Sequence, residues 1–163
     1  MSDVIIDTNV VVVANRQNLK VMPDCADACI FFLLEARKNH VVLLDGDDEI
    51  RGEYARAVRM GRPYQLGAQF LIHVLQHQFN PAHARRVDLG KTGANEFSDF
   101  PTAPALAAFD PSDRKFAALA RKTGIAVTNA IDSDWADHLA ALNAHDIAVK
   151  FLCGCDKAKW HKK

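Results

Sequence analysis

The stretch MSDVIIDTNVVVVAN, residues 1–15, sets a carboxylate, Asp7, inside a run that is otherwise nearly all aliphatic. Val4, Ile5 and Ile6 read as a buried strand, and a charge beside them is costly unless it meets an opposing cation or a bound metal. Asp7, Thr8 and Asn9 look like the carboxyl end of that strand passing into a turn, the edge where open α/β sheets place their ligands.

Outward from this stretch, strand and helix signals alternate. VVVAN reads as a short helix, and DCADACIFFLLEARKN as a helix behind Pro23 with Asp24 as its cap. VVLLD reads as a strand and DDEIRGEYARAVRM as a helix carrying Ile50, Tyr54, Ala57 and Val58 on one face. RPYQLGAQFLIHVLQHQF predicts a helix beginning near Pro63, RRVDL a short strand, and KTGANEFSDFPTAPAL a loop. In FDPSDRKFAALARKTG, Asp110 caps, Pro111 fits the first helical position and Gly124 ends the helix. IAVTN is then a strand, DSDWADHLAALNAHD helical, and IAVKFLC the last strand. This βαβα rhythm predicts a three-layer α/β/α sandwich around a central, mostly parallel sheet.

With 163 residues, 49% of them hydrophobic, the chain has material for one core, so residues 1–152 are expected to form one domain and the basic tail 153–163 to fray into solvent. Twenty Lys and Arg balance twenty Asp and Glu, so only local basic patches are available to draw the chain to nucleic acid. No basic segment leads into a cleavable apolar stretch and no apolar run is long enough for a bilayer, so a soluble cytoplasmic protein is expected.

On this scaffold the carboxylates gather. Asp7 ends the first strand, Asp132 and Asp134 follow IAVTN, Asp113 heads the helix leading into that strand, and Glu53 lies four residues after Glu49 on a helix that can reach the same edge. Clustered carboxylates repel unless a cation or shared protons intervene, and hard ions such as Mg²⁺ or Mn²⁺ are the natural partners of an all-oxygen site. Such ions activate water and orient a phosphodiester, so the set permits a nuclease. Plainer readings stand beside this one: Asp7 as a helix cap, Asp113 as a helix-start residue, Asp134 as a solvated side chain, and Glu49 and Glu53 as an ordinary polar face.

VIIDTNVVV, the GEY segment, DRKFAALA and VTNAIDSDW together resemble the PIN domain, a family of metal-dependent ribonucleases that includes toxin subunits of bacterial toxin and antitoxin pairs. The resemblance covers most of residues 1–152 and implies a Mg²⁺- or Mn²⁺-dependent endoribonuclease acting on RNA, with an antitoxin as a possible partner. It implies Asp7, Glu53, Asp113, Asp132 and Asp134 as catalytic metal ligands, with Glu49 an alternative to Glu53 and the fourth place open to Asp132, Asp134 or both. Thr8, Asn9 and Asn129 are implied as supports that fix carboxylates by hydrogen bonding. Arg51, Arg56, Arg59, Arg62, Arg85, Arg86, Lys91 and Arg114 are the candidates for backbone contacts. The alternatives are a catalytically degenerate PIN-like module that binds RNA or protein, and another metal-dependent hydrolase such as a phosphatase.

Two further groups are less informative. His73 and His77 stand one helical turn apart but lack the glutamate of H-E-x-x-H. Cys25, Cys29, Cys153 and Cys155 match no strong zinc spacing, and FLCGC is expected to be structural. Phe31, Phe32, Phe70, Phe79 and Trp160 are candidates for a symmetric contact in a homodimer.

Overall fold

Burial rises along the first strand, β1 (Ser2–Ile6), until Ile5 and Ile6 are fully enclosed, and the chain then enters helix α1 (Thr8–Ala14) with Asp7 as the residue between them. The computed structural model describes residues 1–61 and 65–163. Helix α2 (Pro23–Asn39), strand β2 (His40–Asp45) and helix α3 (Glu49–Ala57) follow, then α4 (Leu66–His77) and β3 (Ala84–Val87). The expected start of α4 near Pro63 lies outside the described residues. The second half contains a small hairpin, β4 (Lys91–Gly93) with β5 (Glu96–Phe97), then α5 (Arg114–Thr123), β6 (Val127–Asn129), α6 (Ser133–Asp137), α7 (Leu139–Ala144) and β7 (Val149–Phe151).

The main sheet is parallel, with strand order β3-β2-β1-β6-β7. Helices flank it: α1, α2 and α4 pack on one another, while α5 packs on β1, β2 and β6. The fold is thus mixed α/β with helices around a parallel sheet, as the alternating pattern predicts. The sheet grows from β1 through β2 to β3, then resumes on the other side of β1 with β6 and β7. The topological switch therefore falls between β1 and β6, and the crevice beyond their carboxyl ends is where such sheets bind ligands.

Several local expectations are corrected. Asp24 does not cap α2: Met22 holds that position without a side-chain bond, and Asp24 lies in the first turn after Pro23. Part of the segment read as loop, residues 91–97, pairs as the antiparallel β4-β5 hairpin. The tail does not fray. Trp160 is 2% exposed, its indole N–H donates to the Gly154 carbonyl (2.8 Å), its own carbonyl accepts from Met22 N–H (2.9 Å), and His161 bridges to Val21. A disulfide between Cys25 and Cys153 ties the tail to α2. The basic composition of the tail conceals this single large apolar anchor. Phe70 and Trp160 are internal and leave the set of candidate dimer contacts, whereas Phe31 and Phe79 are exposed. Among the described residues no helix is long and apolar enough to cross a membrane.

α1 and α4 meet closely at Gly67. Asn15, fully buried just past α1, accepts from Ala68 N–H (2.8 Å) and donates to Gln17 (2.7 Å) and to the Arg59 carbonyl (3.1 Å). Gly67 fits against it because it has no side chain; a Cβ there would collide with Asn15 and with the Val11 carbonyl. Backbone is among the obstacles, so Gly67→Ala is expected to destabilise the protein by about 1–3 kcal/mol, read as a lowered urea midpoint at unchanged m-value. A midpoint equal to wild type would show that α4 can move away from α1.

Candidate functional site

Asp7 terminates β1, and backbone continuity places its carboxylate at the switch crevice. It is 2% exposed, caps α1 by accepting from Asn9 N–H (3.2 Å), and accepts from the indole N–H of Trp135 at 2.5 Å. The cap and the ligand readings of Asp7 are therefore compatible, because one carboxylate has two oxygens and several lone pairs.

Asp113 arrives from the other direction. Asp110 accepts from Ser112 N–H (2.9 Å), Pro111 starts a turn of 3₁₀ helix, and Asp113 ends it as α5 begins. Asp113 is 4% exposed, and its Oδ2 is buried without a hydrogen bond from any described donor. Asp132 follows β6 in a turn organised by two asparagines. Asn9 donates to Asn129 Oδ1 (2.9 Å) and accepts from Ala130 and Ile131 N–H (both 2.9 Å), while Asn129 accepts from Asp132 N–H (3.2 Å) and donates to its carbonyl (3.1 Å).

The outcome is a set of three: one carboxylate oxygen each from Asp7, Asp113 and Asp132 lies within 4.8 Å of the others. Burial, then the neighbouring Asp132 charge, pushes Asp7 up to about 7. Burial, then the charges of Asp7 and Asp132, pushes Asp113 up to about 10, and burial raises Asp132 as well. Asp113 and Asp132 lie against each other, a contact that needs a shared proton as long as no cation stands between them.

Glu53 is held one step out from this set. Tyr54 donates to the Ile6 carbonyl (2.5 Å) and pins α3 to the end of β1, which brings Glu53 to Thr8, whose hydroxyl donates to it at 2.6 Å. The other Glu53 oxygen pairs with Lys115, a buried cation that also donates to the Ser112 carbonyl. Glu49 turns away to an ion pair with Lys91. Asp134 accepts from Asp110 N–H (2.7 Å) and meets His138 Nδ1 (3.1 Å), so it braces the loop carrying Asp113 and is no solvated side chain.

Trp135 and Lys115 are the site residues that sequence reasoning missed. Each stands within three residues of a site carboxylate, but only the tertiary fold aims its nitrogen at Asp7 or Glu53. Among the candidate phosphate contacts, Arg85 pairs with Asp3, Arg51 and Arg86 with Asp48, and Lys91 with Glu49. Arg62 lies outside the described residues. Arg114 lies over the Phe100 ring, 5.2 Å from its centroid, in a groove of about 640 Å³ also lined by Phe97, Pro101 and Leu106.

A control for the site comes from Asp45. It too ends a parallel strand and is fully buried, yet its oxygens accept from Asp47, Glu49 and Ile50 N–H at 3.1, 3.0 and 2.8 Å. It satisfies the first N–H groups of α3, whose cap position Asp48 holds without a side-chain bond. The orphaned Asp113 oxygen and the three converging carboxylates are what a cap does not need, and an all-oxygen set of this charge fits a hard divalent cation.

The imidazoles of His73, His77 and His83 pack on one another with ring centroids 4.4–5.2 Å apart. Burial, then its two histidine neighbours and Arg37, lowers His73 to about 4. Comparison with protein-family profiles, with curated proteins and with solved structures finds no match.

A pH dependence follows. The carboxyls of Asp7 and Asp113 hold protons in the folded chain at pH values where the unfolded chain, with ordinary carboxylates near 3.8, has lost them. The folded state therefore binds more protons, and its stability falls as pH rises. His73 acts in the opposite sense, but only between about 4 and its ordinary value of 6.5. The melting temperature of chelator-treated protein is expected to fall from about pH 6.5 to about pH 8.5, and Asp113→Asn to flatten the fall. A rise over that range in wild type would contradict the proton-sharing cluster.

Proposed function

We propose that the protein is a Mg²⁺- or Mn²⁺-dependent endoribonuclease of PIN-like type, with Asp7, Asp113 and Asp132 holding the cation. The observation that carries the reading is the convergence of these three carboxylates, one of them with an orphaned buried oxygen, at the switch point of a parallel sheet. A hard divalent ion bound there supplies charge stabilisation at a phosphodiester and lowers the pKa of water.

The chain's own groups supply the rest. Trp135 and the Asn9–Asn129 pair fix Asp7 and the turn that carries Asp132, so the carboxylates do not splay apart. Thr8 orients Glu53, whose charge completes the acidic edge, and Asp134 holds the Asp110 end of the α5 entry. Lys115 keeps one cation beside the carboxylates, and Arg114 with Phe100 offers a charge and a ring at the groove next in sequence to Asp113. A single strand fits such a combination, because bases stack on aromatic rings whatever their sequence.

The ion pair between Glu53 and Lys115 favours a second reading, a degenerate module that binds RNA without turnover, since it occupies an oxygen that a fourth ligand would offer. Turnover separates the two. With Mn²⁺ present, wild type is expected to cleave single-stranded RNA, and Asp7→Asn and Asp113→Asn to reduce cleavage by at least about 100-fold while RNA binding persists. RNA binding without cleavage by wild type would support the degenerate module. The toxin role, with an antitoxin partner, predicts growth arrest on expression that Asp113→Asn relieves.

A further inference from the structure

A second convergence of metal-ligating atoms lies in the cysteines. Cys25 and Cys29 stand one turn apart on α2, and Cys153 reaches them from the end of β7, 128 residues after its disulfide partner Cys25. The three sulfurs lie within 4.8 Å of one another. A structural disulfide needs only two of them. Cys29 is fully buried beside the bond and keeps a free thiol.

We propose that Cys25, Cys29 and Cys153 form a redox-gated site for a thiophilic divalent ion of the Zn²⁺ class. Sulfurs around one tetrahedral Zn²⁺, bound at about 2.3 Å, stand about 3.8 Å apart, a spacing the trio reaches once the disulfide opens. Opening takes two electrons from a dithiol reductant, which closes to its own disulfide as Cys25 and Cys153 become thiols. Metal entry then releases the three sulfhydryl protons to solvent.

The surroundings suit this chemistry. Cys153 does not depend on the disulfide for its place, because Trp160 anchors the tail through Gly154 and Met22. Cys25 and Cys153 also line a cavity of about 680 Å³ shared with His161, Lys159 and Lys162. The cavity leaves the fourth coordination position to solvent, and the lysines offset the single negative charge of a dication on three thiolates. Hard ions prefer the carboxylates, soft-ligand metals the sulfurs, so the two sites select different cations.

Cobalt tests the proposal, because thiolate-bound Co²⁺ shows sulfur-to-metal charge-transfer absorption that carboxylate-bound Co²⁺ lacks. The full-length protein, reduced with a phosphine under anaerobic conditions, is expected to develop this absorption with one equivalent of Co²⁺ and to lose it on adding Zn²⁺. Oxidised wild type, identical in sequence, is expected to show none, Cys29→Ser to lose the band, and Asp7→Asn and Cys155→Ser to retain it. No charge-transfer band in reduced wild type, an equal band in the oxidised protein, or a band undiminished in Cys29→Ser would each overturn the site. The oxidised and reduced comparison stands even if Cys29→Ser does not fold.

Discussion

Mutual repulsion among Asp7, Asp113 and Asp132 is the constraint around which the rest of the molecule is arranged. Burial first, and then the charges of their neighbours, push the Asp7 and Asp113 carboxyls up, so the three groups favour shared protons wherever no cation stands between them. The fold holds the groups together regardless. β1 and β6 are hydrogen-bonded neighbours, so Asp7 and the turn after Asn129 are fixed by the register of the sheet itself. α5 packs on both strands and delivers Asp113 from its amino end.

Around that constraint the supporting bonds fall into place. Asn9 uses its amide nitrogen on Asn129 and its amide oxygen on two backbone N–H groups, which makes the β6 turn an extension of the β1 turn. Trp135 closes the crevice from α6, its ring packed edge-on against Phe109 with centroids 4.9 Å apart. Lys115 is buried because Glu53 and the Ser112 carbonyl accompany it; removing one partner of such a pair costs about 3–5 kcal/mol. Asp45, at the end of the neighbouring strand, differs in kind: three N–H donors satisfy its oxygens, and neither is orphaned.

Asp7, Asp113 and the Asp132–Asp134 pair were legible in the sequence because each sits where a local pattern changes, at a strand end or a helix start, but choosing Asp132 over Asp134 took the turn that Asn9 and Asn129 organise. The parallel sheet was legible from the alternation of aliphatic runs with helical periods. Glu53 was named as a ligand through the resemblance of the GEY segment, with Glu49 as its alternative, yet its partners Thr8 and Lys115 come from other elements and hold it one step out. Trp135 carried no sequence signal, since only packing decides where an indole N–H points. The tail was misread for the opposite reason: its lysines dominate the composition, while the anchoring is done by Trp160 and by Cys153, which lies 128 positions after its partner Cys25. Sulfurs so far apart in sequence carry no spacing signal, which is why C-x3-C and C-x-C together matched no strong zinc spacing.

Anomalous diffraction from crystals soaked in Mn²⁺ tests the central claim most directly. The account predicts a Mn peak within coordination distance of Asp7, Asp113 and Asp132, at about 2.2 Å from their oxygens, and its loss in Asp113→Asn. A soaked crystal in which that crevice carries no Mn, while Asp113 and Asp132 remain in contact, would contradict it and leave the three carboxylates as a proton-sharing structural cluster.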